Sequence, residues 1–279
     1  MVAPFVLFNL VFLIFPLGFC IYLSLTDWTM YKPTWQFVGF RNYAELLFSD
    51  EVFVKALGNT MYYVVFTVAG VVLLGAAMAV LLNQRLRGIG LFRTVFYFPV
   101  VVDWVIVSTV WLFLLEPSIG LINQVLRANA LPAQPFFNSR SQAMPLMIGM
   151  SIWKGVAYYA IIFLAGLQDV PQVLLEQAQI DGANRWQAFR HVTVPWMAPV
   201  TLLVIVLASI NALRVFSPMY VITGGGPVNA TMTVMLLLYN QSFRYLEMGY
   251  GSAIAVVFSA LVLVLVLIQR RILSSPENA

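Results

Sequence analysis

Charge is what this chain has least of. Only 9% of its 279 residues are Asp, Glu, Lys or Arg, where soluble domains carry about 25%. Against that, 61% are hydrophobic, and the mean hydropathy is +0.89. A water-soluble globule is excluded, and residues 1–279 read as one integral membrane domain. There is one cysteine, Cys20, so no intramolecular disulfide exists. There is one histidine, His191, with no cysteine or second histidine beside it, which argues against a structural metal site. No G-x-x-x-x-G-K-[ST] phosphate loop occurs, and no Ser/His/Asp set or carboxylate pair stands out in the apolar runs. The chain is therefore read as lacking catalytic chemistry and a bound cofactor of its own. The net charge of +4 is spread thinly, which gives no footing for nucleic acid.

What is there is apolar length. A helix needs about 20 mostly apolar residues to cross a bilayer. Six stretches qualify, at roughly 3–25, 60–82, 95–115, 144–167, 199–220 and 251–268. The first resembles a secretory leader, but no Lys or Arg precedes Lys32, and Phe19 is too large for the position before Cys20. It reads as a retained span. Basic residues set the orientation. They are denser in 83–94, 168–198 and 269–279, which hold Arg85, Arg87, Arg93, Arg185, Arg190, Arg270 and Arg271. The intervening 26–59, 116–143 and 221–250 hold Lys32, Arg41, Lys55, Arg127, Arg140 and Arg244. The first set is placed in the cytoplasm, with both termini. The expectation is an all-α, polytopic protein of six transmembrane helices.

The stretch Leu167 to Pro199 organises the rest. Pro171 suits a first helical turn, and Gln172 to Ile180 holds no glycine or proline. Val173, Leu174, Gln177 and Ala178 have helical spacing, which makes one face mostly apolar. Asp181-Gly182 should break this helix. Asn184 can cap a second one through Arg190, with Gln187 in a capping-box position. Pro195 and Pro199 should close the segment.

This segment resembles the EAA loop of binding-protein-dependent ABC importer permeases. It offers Glu176, Gln177 and Ala178, then Asp181, Gly182 and Ala183, then Phe189, Val192, Pro195 and Pro199. Gln177 departs from the first alanine but keeps the spacing. The resemblance implies a type I ABC importer permease fold, with residues 168–198 as a cytoplasmic coupling loop. It implies that Glu176, Ala178, Asp181, Gly182 and Ala183 meet a separate ATPase dimer, where ATP and Mg are used. Glu176 would face a basic group on that ATPase.

A second motif, Thr223-Gly224-Gly225-Gly226-Pro227, follows Phe216 and precedes Tyr239. Here three glycines permit positive φ and close approach. This run resembles the external loop of the first permease subunit in carbohydrate importers, such as those for maltose or glycerol phosphate. Many of those have aspartate after the phenylalanine, where this chain has Ser217. The implied partners are a second homologous permease, an external solute-binding protein and the lipid of a prokaryotic inner membrane. Gly39-x-x-Asn42-Tyr43 followed by Asn59-Thr60 adds to the likeness, although a surface helix with Phe40, Tyr43, Leu46 and Leu47 on an interfacial face accounts for it structurally.

Asp103, Lys154 and Arg214 lie in or near spans, where charges are costly without a cavity or partner. Two readings stay open for each: pairing or snorkelling, or lining a translocation path. Trp153, Lys154, Tyr158 and Asn211 are the candidates for solute contact. Gly75 with Ala79, and Gly251 with Ala255 and Ser259, form small-residue stripes for close helix packing. The alternative class is a secondary transporter of a small polar solute, which would need ion-coupling residues and commonly shows inverted repeats; no repeat is evident.

Overall fold

The computed structural model describes residues 3–84 and 89–273. Among them no β-strand forms; a lone antiparallel bridge joins Thr26 and Phe37. Five helices are long and apolar enough to cross a membrane: Pro4–Ser24, Glu51–Leu82, Ala143–Gln168, Ala198–Ile222 and Met248–Arg271. Two further helices, Gly90–Val101 and Trp104–Leu114, pass the same test together and meet at 95°; counted as one broken span they make a sixth crossing. The expected continuous helix over 95–115 is therefore broken in its middle.

The second span starts earlier than expected, at Glu51 rather than near residue 60. Asp50 sets that start. Its carboxylate accepts from the Phe53 N–H at 2.9 Å and from the Tyr250 hydroxyl at 2.6 Å. The resulting 32-residue helix is about 48 Å long at 1.5 Å per residue, so it projects beyond the hydrocarbon layer. It packs most extensively on the fourth span. Lipid is as apolar as leucine, so this contact depends on close packing and polar links rather than on the hydrophobic effect. Gly75 supplies closeness: a Cβ there would touch Tyr159 Cβ at 3.4 Å. Ala79 is fully buried beside it, so this small-residue stripe packs within the chain. Tyr63 supplies the polar link, donating from its hydroxyl to Ser151 Oγ at 2.7 Å. In the last span the expected stripe packs only at its start, where Gly251 is buried against Ser242 and Ala255 is half-buried. Ala253, Ile254 and Phe258 are buried, while Ser259 is exposed.

Buried side chains form two clusters along this frame. One gathers Leu46, Phe53, Met147, Met219, Leu236 and Ile254. The other gathers Val71, Ala79, Phe163, Met197 and Val204. The surface helix Arg41–Phe48 divides otherwise than expected. Leu46 is buried and the Tyr43 hydroxyl shares a hydrogen bond with Ser24, whereas Phe40 and Leu47 point away. Asn42 explains the inward pull: its side-chain amide donates to the carbonyls of Ser24 and Thr26 at 2.9 and 2.8 Å. That ties the end of the first span to the surface helix. The same end is stitched to the last span, where Met30 N–H donates to Leu246 O and Gly249 N–H to Trp28 O, both at 2.9 Å.

Gly249 allows that second contact because a Cβ there would run into the Thr26 carbonyl oxygen and lie 3.0 Å from Trp28 N. Both neighbours are backbone and cannot rotate away. Gly249→Ala should therefore destabilise the chain by about 1–3 kcal/mol, as overpacking does. Gly149→Ala, where nothing lies within 4 Å, should be near neutral. Thermal unfolding of both variants in detergent checks the pair, and equal midpoints would refute the close-approach argument.

Candidate functional site: a solute cavity and a docking loop

The break in the third span exposes backbone groups that a continuous helix would pair. Its first half, ending at Val101, leaves carbonyls unpaired, and its second half, starting at Trp104, leaves N–H groups unpaired. Water cannot satisfy them at membrane depth. Two side chains do. Asp103 caps the second helix, accepting from Val105 N–H at 2.7 Å. Lys154, on the fourth span and 6% exposed, donates to the carbonyls of Pro99, Val100 and Val102 at 2.8, 3.2 and 2.6 Å. An ammonium group has three donors, and all three are used. The signs also suit the helix dipoles, with a cation at a C-terminal end and an anion at an N-terminal end. Neither side chain bonds the other; both hold the break. The lysine also lies 5.0 Å from the Trp104 ring centroid.

The break opens a cavity of about 470 Å³ between the two buried clusters. Tyr63, Ala212 and Val215 come to it from one cluster, and Val71, Tyr159 and Ala208 from the other. Lys154, Tyr158, Asn211 and Arg214 line it. Asn211 is oriented by donating to the Tyr159 hydroxyl at 3.2 Å. The buried Thr67 hydroxyl, also in the lining, has no protein partner. Trp153 does not line the cavity. It packs edge-on against Trp111 at 5.8 Å between ring centroids, because it follows Ser151 and precedes Lys154 on a helix whose cavity face they share.

The segment 168–198 forms two short helices, Gln172–Ile180 and Arg185–Ala188. Pro171 stands at the N-cap of the first rather than within its first turn. That helix ends in a left-handed turn. Gly182 has φ +84°, Gly182 N–H reaches Gln179 O at 3.1 Å, and Ala183 N–H reaches Ala178 O at 2.9 Å. This pairing is the Schellman arrangement, which satisfies the last helical carbonyls. Ala178, Asp181, Gly182 and Ala183 thus build one turn. Glu176 stands on its exposed side. No residue of this helix is buried, and Ile180 is 84% exposed.

The capping box is present: Asn184 accepts from Gln187 N–H at 2.9 Å and Gln187 Oε1 from Asn184 N–H at 2.8 Å. The second helix does not stop at Arg190. A widened π-helical turn, Phe189–Thr193, carries it towards the fifth span. That wide turn accommodates Pro195, whose ring displaces the carbonyl four residues back.

The loop that carries Gly224, Gly225 and Gly226 is pinned to the second span. Asn59 donates to Asn229 O and Met232 O at 2.8 and 2.9 Å, and Thr60 Oγ1 accepts from Val234 N–H at 3.0 Å. Gly224 and Gly225 use positive φ, at +58° and +95°, whereas Gly226, before Pro227, does not. A Cβ on Gly225 would lie 2.6 Å from Met232 Cε. These residues shape the loop, and Asn59 and Thr60 anchor it.

Residues 71–275 match the family described as binding-protein-dependent transport system inner membrane component. The chain belongs to that family. It is 36% identical over 269 residues to the probable ABC transporter permease protein YurN of Bacillus subtilis (strain 168), covering 94% of this chain and 92% of that one. It is 34% identical to the trehalose/maltose transport system permease protein MalF of Thermococcus litoralis, covering 94% and 88%. It is 31% identical to the sn-glycerol-3-phosphate transport system permease protein UgpA of Agrobacterium fabrum, covering 97% and 92%. Its fold matches a chain in the crystal structure of a bacterial alginate ABC transporter in complex with an alginate pentasaccharide-bound periplasmic protein. The TM-score there is 0.85 at 24% identity, covering 99% of this chain and 94% of that one. The permease is thus a multi-pass membrane subunit of an ATP-driven ABC importer and not an enzyme. Residues 168–198 lie inside the matched region. Arg85 and Arg87 lie outside the described residues.

Lys154→Met keeps the stem and removes every donor to the three carbonyls. Hydrogen bonds to charged groups are worth about 1.5–3 kcal/mol, so the unfolding midpoint of the purified permease should fall whether or not solute is present. A variant as stable as the parent, with weakened solute binding alone, would return Lys154 to direct solute contact.

Proposed function

We propose that this permease forms one half of the path for a carbohydrate, beside a second and different permease. Its external binding protein delivers the solute, and a separate cytoplasmic ATPase dimer, using ATP and Mg, supplies the energy. Both termini lie in the cytoplasm, as the basic residues of the cytoplasmic links favour. The observation that carries this reading is the helix Gln172–Ile180, which has no buried residue of its own and is held out by a built turn. Such a helix is stable only weakly by itself, so its exposed apolar residues call for a partner. The cavity supports a polar, ring-bearing solute. Tyr158, Trp104 and Phe216 offer faces for sugar rings, and Ser151 and Asn211 offer hydrogen bonds. The relatives named for trehalose/maltose and sn-glycerol-3-phosphate transport support the solute class.

Two substitutions test the docking role. Glu176→Lys reverses the charge shown to the ATPase, where losing one partner of a buried charge pair costs about 2–5 kcal/mol. Gly182→Val forces a β-branched residue to φ +84°, a strained conformation. Neither residue lies in a span, so both variants should insert and keep the membrane fold. Solute uptake and ATPase co-purification should both fall. Parental values in both assays would remove the docking role.

A further inference from the structure

The cavity is uneven in charge. Two cations, Lys154 and Arg214, line it, and no carboxylate does. Lys154 is committed, with three carbonyls for its three donors. Asp103 is committed to the N–H of Val105. Arg214 follows the last turn of the helix Ala198–Leu213 as its C-cap. Its side chain is exposed on the cavity and, among the described residues, makes no hydrogen bond or ion pair. An arginine stays charged and presents five N–H donors in a planar fork. That fork fits two oxygens of a carboxylate or phosphate at once. The other polar lining residues on this helix and near it in sequence, Asn211 and Ser217, are neutral, and so is the Thr67 hydroxyl.

We propose that Arg214 selects an anionic carbohydrate, a sugar bearing a carboxylate or a phosphate. The anion sits on the guanidinium fork while the ring lies against Tyr158, Trp104 or Phe216. This assignment rests on the carbohydrate-path reading above and gives it a substrate class. None of this chain's own lining residues offers the cation a counter-charge, which an anionic solute supplies. The competing role for Arg214 is a cation at a helix C-terminus, favoured by the dipole. That role is filled equally by lysine and carries no solute selectivity.

The test uses the complete importer in proteoliposomes: this permease, its companion permease, the ATPase dimer and the binding protein. Uptake is scored for galacturonate, glucose 6-phosphate and maltose. The anionic sugars should be preferred, and the two of them separate carboxylate from phosphate. Arg214→Gln should lower the ratio of anionic to neutral uptake by about tenfold or more, and Arg214→Lys by less, since it keeps the charge and loses the fork. Co-purification verifies assembly, and if Arg214→Gln does not assemble the lysine variant decides. Preference for maltose, or an unchanged ratio in the variants, overturns the assignment of Arg214 and leaves the carbohydrate reading standing. Uptake of none of the three sugars overturns both.

Discussion

A carbonyl in hydrocarbon has to find a donor. That constraint governs this permease at one place above all, the right-angled break between Val101 and Trp104. Unpaired backbone groups cost several kcal/mol each in a bilayer, so a break survives only where side chains replace the missing helical bonds. Lys154 does so from the fourth span, and Asp103 from within the break. Because the lysine belongs to the helix that packs most extensively on the second span, the break is fixed to the most closely packed helix pair. The cavity exists because the third span turns away from its neighbours there.

The segment 168–198 obeys the same rule. Its helices are too short to hold themselves, so their ends are closed locally by the Schellman turn at Gly182 and the capping box at Asn184. Local closure leaves the exposed face of Gln172–Ile180 free to meet another protein. The wide turn at Phe189–Thr193 links that surface to the fifth span, which carries Asn211 and Arg214 at the cavity. The helical path that begins at Arg185, just after the turn at Gly182, thus runs on into the cavity wall.

Much of this was legible in the sequence. Hydropathy located the six crossings, and cap chemistry located the docking turn, because both signals are local. Asn184 and Gln187 announce their box by spacing alone, and Gly182 by its place after Asp181. The break in the third span was not legible as a break. Pro99 and Asp103 mark it, but the run around them is as apolar as an unbroken span, and the partner that stabilises it lies 52 residues away in sequence at the nearest bond. Long-range satisfaction leaves no local trace. The same reason hid the start of the second span, where Asp50 owes its position partly to Tyr250. Trp153 was misplaced because neighbouring residues on a helix point about 100° apart, and sequence could not say which of Trp153 and Lys154 faced inward.

The account depends on energy entering through the docking loop rather than through an ion moving along the cavity. ATP hydrolysis by the reconstituted complex, measured with ion gradients collapsed and with or without solute-loaded binding protein, tests this most directly. Loaded binding protein should raise hydrolysis, and solute should accumulate at the expense of ATP. Accumulation that follows an imposed proton or sodium gradient and ignores ATP would contradict it.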